Sequence, residues 1–125
     1  MGMHALARVA EAWPRQHAAD VRLIEDLEYS RPGGLPLCLD ILQPPGPGPH
    51  PVILYLHGGA FAIGSKRSHR PLAAAYAAQG YLVCTVDYRL APQHQFPTAA
   101  FDAWDSLNAL HGQAAALGLD GARLA

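Results

Sequence analysis

The stretch Pro51–Gly64, which reads PVILYLHGGAFAIG, decides the fold of this 125-residue chain. Its first part, Val52–Leu56, is an unbroken run of apolar residues with no polar alternation. Such a run is typical of a strand buried on both faces of a parallel sheet that is covered by helices. The run ends at His57 and two glycines, whose backbone can adopt positive φ angles and approach a ligand closely. Because open α/β sheets bind ligands at the carboxyl ends of their strands, this turn is the first candidate site.

The flanking segments predict an alternation of strands and helices. Upstream, Val21–Ser30 and Leu35–Leu42 are typical of an antiparallel hairpin near the sheet edge. Downstream, Pro71–Gln79 predicts a helix that ends before a glycine, and Tyr81–Val86 predicts a second buried strand. A strand, a helix and a strand in this order form a right-handed βαβ unit with a parallel pair.

A further helix is predicted from Pro97 onwards. Its apolar residues recur at helical spacing and are Phe101, Trp104, Leu107 and Leu110. We expect this stripe to face the core, because a surface helix buries its apolar side. The last residues, Ala122–Ala125, resemble the start of a strand that is cut short. Without that strand, Val52–Leu56 would be an open apolar edge, and we expect the isolated chain to be poorly soluble or to self-associate.

Composition excludes several classes of function. The chain is 50% hydrophobic and 15% charged with a formal net charge of −1, as in ordinary soluble globular proteins. It has no basic cluster that would attract nucleic acid or an anionic membrane surface. Arg8 and Glu11 interrupt the apolar residues of Met1–Trp13, which argues against a signal peptide, and no apolar run is long enough to span a bilayer. We therefore expect a cytoplasmic protein without stable membrane association.

Neither a metal nor a cofactor is expected. The seven histidines and two cysteines show no His-Glu-x-x-His or Cys-x-x-Cys spacing, and no Gly-x-Gly-x-x-Gly fingerprint occurs. Cys38 and Cys84 each lie within a predicted strand, so buried free thiols are expected rather than a disulfide or a nucleophile.

Three sequence blocks together carry a family resemblance. They are HGGAF at 57–61 with Gly64-Ser65, DYRLAP at 87–92, and FPTAA at 96–100 followed by Asp102. In this order and spacing, the chain from about Leu35 to Ala125 resembles the α/β-hydrolase fold, specifically the hormone-sensitive-lipase family of bacterial esterases. The resemblance implies a three-layer sandwich, with a mostly parallel sheet and helices on both faces, of which this chain forms the incomplete N-terminal half. Residues 1–20 would be a cap-like helical segment, and residues 21–125 the N-terminal part of the hydrolase domain.

The resemblance also implies roles for the residues of the glycine loop. In that family the loop after the third strand supplies the backbone N–H groups of an oxyanion hole. By position, those donors are Gly59 and Ala60, while Gly58 and His57 shape the loop. Ala60 stands where the family has a third glycine, and it keeps the donor geometry if its φ angle is negative.

Four other residues also have expected roles. Phe61 and Trp13 are candidate walls of a substrate pocket, although large aromatic residues also serve as core packing. Asp87 and Arg89 resemble a structural turn after the fourth strand, and we interpret them as an ion pair of the scaffold.

The nucleophile of that family is missing. It lies in a Gly-x-Ser-x-Gly turn, and none of Ser30, Ser65, Ser68 and Ser106 has glycines two residues before and after it. The chain alone is therefore expected to be inactive. Three functions stay open: part of a carboxylesterase acting on a small-molecule ester, a binding module that holds a ligand without turnover, and an inactive fragment. A homodimer of the full-length protein is also left open.

Overall fold

The computed structural model describes residues 20–60 and 62–125. The proposed cap-like segment lies almost wholly outside the described residues, as do Trp13 and Phe61.

The order of elements follows the sequence prediction closely. The elements are β1 (Arg22–Ser30), β2 (Leu37–Gln43), β3 (His50–Leu56), α1 (Arg70–Ala78), β4 (Leu82–Val86), α2 (Thr98–Gly112), α3 (Ala114–Leu117) and β5 (Leu119–Leu124). A short 3-10 turn at Pro32–Gly34 joins the first two strands. No helix among the described residues is long and apolar enough to cross a bilayer.

The five strands form one mixed sheet in the order β1-β2-β4-β3-β5. The first pair is antiparallel, which confirms the predicted hairpin, and β2 also runs antiparallel to β4. Strands β3 and β4 are parallel and in register from Val52 opposite Leu82 to Leu56 opposite Val86. This pairing confirms the predicted strand–helix–strand unit, and it places the carboxyl ends of both strands side by side.

Each face of the sheet carries its own apolar cluster. On one face the buried residues are Leu39, Ile41, Val52, Leu82, Cys84, Val86, Leu110 and Leu119. On the other they are Leu42, Ala73, Ala77 and Val83, which join α1 to the sheet. Helices therefore cover both faces, in the expected three layers. Of the two free cysteines, Cys84 is buried and Cys38 is only half-buried.

The expectation of an open edge at β3 is wrong. Strand β5 pairs with β3 in parallel, and the Ala125 N–H donates to the Val52 carbonyl at 2.9 Å. The chain joins the sheet at Leu119, before the position expected from sequence, because this leucine is buried in the core against β3. The open edge of the described sheet on this side is therefore β5.

The prediction that the apolar stripe of α2 packs in the core is wrong for two of its residues. Phe101 and Trp104 are 61% and 62% exposed. The buried side of α2 instead carries Asp102, Ser106 and Leu110, which are spaced four residues apart. An ion pair draws the Asp102 carboxylate inward, and this turns the two aromatic residues outward.

Candidate active site

The glycine loop begins where β3 ends and lies at the carboxyl edge of the parallel pair. Leu56 is the last residue of β3, and His57 follows it directly. Strand β4 ends at Val86, so Asp87 and Tyr88 emerge beside the loop. The three-dimensional position agrees with the crevice expected from the sequence.

Buried contacts hold His57 in place. Its ring stacks on that of Tyr88, with centroids 4.3 Å apart and planes 9° apart. The Tyr88 hydroxyl donates to the His57 carbonyl at 2.6 Å, and burial raises the pKa of this phenol. The Nδ1 of His57 lies 2.9 Å from the Gly58 carbonyl, which can only accept, so Nδ1 must be the donor. These contacts suit a residue that shapes the loop.

The backbone at Gly59 requires glycine. Its φ angle is +127°, and a Cβ there would lie 2.1 Å from the Ile63 carbonyl oxygen. The Gly59 carbonyl accepts hydrogen bonds from the N–H groups of Ala62 and Ile63, at 3.0 and 3.1 Å. Gly58, by contrast, has open space around it. The tight turn therefore depends on the second glycine of the pair.

The backbone of Ala60 lacks the negative φ angle that was expected for a donor at this position. Its φ angle is +54°, in the left-handed region, rather than negative. A residue with a Cβ is strained in that region, which explains why a glycine suits this position. Nevertheless, the Ala60 and Gly59 N–H groups form no hydrogen bond to any residue within the described ranges. Both amides remain without an internal acceptor there, as an oxyanion-binding loop requires.

A half-open cleft of about 870 Å³ begins at the glycine loop and continues along α2. His57, Ala60 and Tyr88 form one end of it. The rest is mainly apolar and includes Leu54, Leu56, Ala99, Ala100, Ala103, Trp104 and Leu107. This cleft therefore places apolar surface directly beside Ala60, whose N–H has no acceptor among the described residues.

The expected ion pair between Asp87 and Arg89 is wrong. The Arg89 guanidinium instead binds the buried carboxylate of Asp102, with Nη2 at 2.7 Å and Nε at 3.0 Å from its oxygens. Asp87 accepts the Lys66 N–H at 2.6 Å, and its carbonyl accepts the Tyr29 hydroxyl. Asp87 was the expected partner because it is close to Arg89 in the sequence. In the structure, the turn after β4 directs Arg89 toward Asp102 in α2.

The sequence did not predict that the charged side chain of Lys66 is buried. Lys66, two residues after Gly64, has its ammonium between the carboxylates of Asp26 and Asp40. Burial alone would lower the pKa of Lys66, but the hydrogen bonds that its ammonium donates to both carboxylates outweigh this effect and raise that pKa. Its only sequence signal was a lysine placed directly after the glycine loop.

Residues 20–60 and 62–125 do not assemble an activated nucleophile. Within the described part of the chain, no serine hydroxyl is hydrogen-bonded to a histidine ring. The Ser106 hydroxyl is buried and donates to the Ala103 carbonyl within α2. The remaining serine hydroxyl contacts are local turns, such as Ser65 N–H donating to Ser68. The expected absence of a triad in this chain therefore stays a prediction for the complete sequence.

Comparison with known proteins agrees with this geometry. A family model described as the alpha/beta hydrolase fold matches residues 53–125. The chain is 43% identical over 106 residues to an ethyl acetate hydrolase of Pseudomonas putida, covering 82% of this chain and 33% of that relative. It is 33% identical over 128 residues to the esterase LipI of Mycobacterium tuberculosis, covering 99% of this chain and 40% of LipI.

Solved structures show the same relationship. The esterase LipW of Mycobacterium marinum superposes with a TM-score of 0.75 at 30% identity, over 98% of this chain and 42% of LipW. An esterase of Pyrobaculum calidifontis gives a TM-score of 0.77 at 28% identity, over all of this chain and 42% of that enzyme. The chain therefore spans about a third to two fifths of the length of these four proteins. With the glycine loop, the mixed sheet and these matches together, the chain belongs to the α/β-hydrolase fold family.

Proposed function

We propose that this chain supplies the oxyanion-binding part of a carboxylic-ester hydrolase. The observation that carries the proposal is the pair of amides at Gly59 and Ala60. They lie in the loop that follows the carboxyl end of β3, where Ala60 lines an apolar cleft, and neither has an acceptor among the described residues. Groups that are poised in this way bind negative charge that develops during a reaction.

The chemistry follows from where that charge appears. When a nucleophile attacks an ester, the carbonyl oxygen becomes negative, and fixed N–H donors stabilise it in a water-poor site. Loss of one such donor typically slows catalysis by about 10²–10³-fold. Gly59 and Ala60 would be the two donors, while Gly58 and His57 would shape the loop that carries them. A small carboxylic ester is the proposed substrate, since the similar proteins are named as an ethyl acetate hydrolase and as esterases.

The nucleophile, acid and base are proposed to lie outside residues 1–125. The described residues assemble no triad, and the chain corresponds to only 33% of the ethyl acetate hydrolase and 42% of LipW. An oxyanion hole without a triad gives only a residual rate enhancement. We therefore propose that activity requires the remaining polypeptide of the fold, and that the protein works in the cytoplasm.

A complementation experiment tests the proposal. The chain would be co-expressed with the C-terminal part of the Pseudomonas putida ethyl acetate hydrolase that it does not match, and the purified pair assayed with p-nitrophenyl acetate. We expect turnover by the pair and none by the chain alone. In the pair, Gly59→Ala should lower kcat by about 10²-fold or more, because its Cβ would collide with the Ile63 carbonyl.

Gly80→Ala is the matched control. Gly80 has a similarly positive φ angle of +101°, but no other atom lies within 4 Å of its Cβ position, and it lies at the end of α1. Equal kcat values for Gly59→Ala and Gly80→Ala would refute the assignment of the oxyanion hole. A well-formed pair that binds esters without hydrolysing them would instead support a binding module.

A further inference from the structure

The segment that leaves the glycine loop carries a lysine that is nearly inaccessible to solvent. The side chain of Lys66 is 4% exposed, and its Nζ lies 2.8 Å from Asp26 Oδ1 and 2.9 Å from Asp40 Oδ1. Asp40 is completely buried in β2. An isolated charge at such a depth would be strongly unfavourable, so this ammonium and this carboxylate depend on each other.

The carboxylates come from an irregular part of the hairpin. The register of β1 with β2 shifts between Ile24 and Leu27, and Asp26 within this bulge has a φ angle of +59°. The bulge lets the Asp26 N–H donate to Asp40 Oδ1 at 2.9 Å. It also turns the Asp26 carboxylate toward Lys66. Bulges are a common means of redirecting a side chain next to an active site.

Arg70 completes the cluster from the first residue of α1. Its guanidinium binds Asp40 Oδ2, and its Nη1 lies 3.1 Å from Glu25 Oε1. The buried Asp40 carboxylate therefore receives three donors: the Lys66 ammonium, the Arg70 guanidinium and the Asp26 N–H. Replacing buried ion pairs with apolar residues is often neutral for stability, so a gain in stability alone is a weak explanation for this cluster.

The position of Lys66 gives the better explanation. Its own N–H donates to Asp87 Oδ1 at 2.6 Å, which ties the segment to the end of β4. The loop from His57 to Lys66 is thus held at both ends. Stacking on Tyr88 fixes its start, and the carboxylates of Asp26 and Asp40 fix its end. The turn at Gly59 lies between these two fixed points.

We propose that Lys66 is a positioning residue for the oxyanion loop: its ammonium, locked between Asp26 and Asp40, holds the exit of the loop so that the Gly59 and Ala60 amides keep one geometry. The catalytic meaning of this role rests on the proposed function. The effect of Lys66 on the conformation of the loop does not depend on the proposed function. It can be measured in the 125-residue chain without an activity assay.

Hydrogen exchange provides that measurement. The Ala62 and Ile63 amides are suitable reporters, because both donate to the Gly59 carbonyl and are released only when the turn opens. In Lys66→Met we expect these two amides to exchange about tenfold faster than in the parent chain, as is typical for loss of a charge-assisted hydrogen bond. Lys66→Arg keeps the charge and should restore most of the protection.

Arg67→Met is the matched control, because Arg67 is the exposed neighbour and forms no ion pair within the described ranges. Exchange at Cys84, in central strand β4, reports global unfolding and serves as the reference in every variant. If Lys66→Met unfolds the chain, Asp26→Asn takes its place. The side chain of Asp26 is 59% exposed, so its loss should leave the fold intact and still accelerate the two reporters.

Each outcome decides the proposal. Faster exchange at Ala62 and Ile63 relative to Cys84, in Lys66→Met or Asp26→Asn but not in Arg67→Met, supports it. Unchanged relative exchange in a folded Lys66→Met, or in Asp26→Asn where the first variant unfolds, overturns it. That result would leave the oxyanion assignment standing, because the complementation assay tests it separately.

Discussion

Gly64 lies directly against the imidazole of His57. A Cβ at Gly64 would stand 2.6 Å from His57 Nδ1 and 2.9 Å from the Gly58 carbonyl oxygen, and the φ angle of Gly64 is +97°. The exit of the glycine loop therefore packs on its entrance. This contact explains why the sequence needs a glycine well beyond the conspicuous pair at 58–59.

Gly64→Ala should lower the free energy of unfolding by about 2 kcal/mol or more, because it combines an unfavourable φ angle with a steric clash. Gly80→Ala is again the control, since its positive φ angle occurs in open space and only strain is added. Urea denaturation of both variants gives the comparison. Equal losses of stability would show that the contact with His57 is unimportant.

Ala60→Gly should not destabilise the chain and could add up to about 1 kcal/mol, because glycine has no Cβ to strain at a φ angle of +54°. Ala75→Gly, in the interior of α1, is the opposite case and should lower stability by about 1 kcal/mol. Thermal unfolding of the two variants measures the difference. A loss at position 60 as large as that at position 75 would contradict the strain argument.

Arg89→Met should lower the free energy of unfolding by about 3–5 kcal/mol, because it leaves the fully buried Asp102 carboxylate without its cation. Arg123→Met is the matched control. Arg123 binds Asp120 at 2.6 Å with its own side chain 60% exposed, and exposed pairs contribute about 0–1 kcal/mol. Similar denaturation midpoints for the two variants would mean that the burial of Asp102 does not increase the effect of losing its cation on the free energy of unfolding.

Self-association of the 125-residue chain is still expected, but through the cleft beside α2 rather than through β3. Trp104 is 62% exposed on the wall of this cleft. Trp104→Gln should reduce association in sedimentation velocity and change stability by about 0.5 kcal/mol or less. Leu110→Ala, on the buried side of the same helix, should instead cost about 2–5 kcal/mol. A monomeric parent chain at all concentrations would contradict this prediction.

Stability should fall at alkaline pH. Burial raises the pKa of the Cys84 thiol from 9.0 to about 12, so the folded state resists forming the thiolate. The contribution of the neutral thiol to the free energy of unfolding is complete below pH 9. It is lost as pH rises from about 9 to 12, and the free energy of unfolding falls by up to about 1.4 kcal/mol per pH unit. In Cys84→Ala the decline between these pH values should be shallower, as measured by urea denaturation at each pH. Parallel pH profiles for parent and variant would be the contrary result.

The sequence predicted the elements well because periodicity and glycine or proline boundaries are local signals. The apolar run of β3 and the glycine turn after it gave both the sheet and the candidate site. The helix after Pro97 was also placed correctly. The buried side of this helix was not predicted correctly. Helical spacing identifies an apolar stripe, but it cannot show that an aspartate with an ion-pair partner occupies the buried side instead.

The misassigned partner of Arg89 and the overlooked Lys66 have a common cause. Both depend on contacts between distant segments, such as Lys66 with Asp26 and Asp40, which no short window of sequence displays. The φ angle of Ala60 is similarly set by the turn around Gly59 rather than by its own residue type. The secondary structure and the glycine loop could be predicted from local sequence, whereas contacts between side chains of distant segments could not.

The strand order has a consequence for biosynthesis. Strand β3 lies between β4 and β5, and both of these follow it in the chain. On a translating ribosome, the strand that leads to the glycine loop therefore emerges before either of its neighbours exists, whereas the β1–β2 hairpin can already close. The loop can reach its final geometry only after Asp87 and Tyr88, which hold Lys66 and His57, have left the exit tunnel.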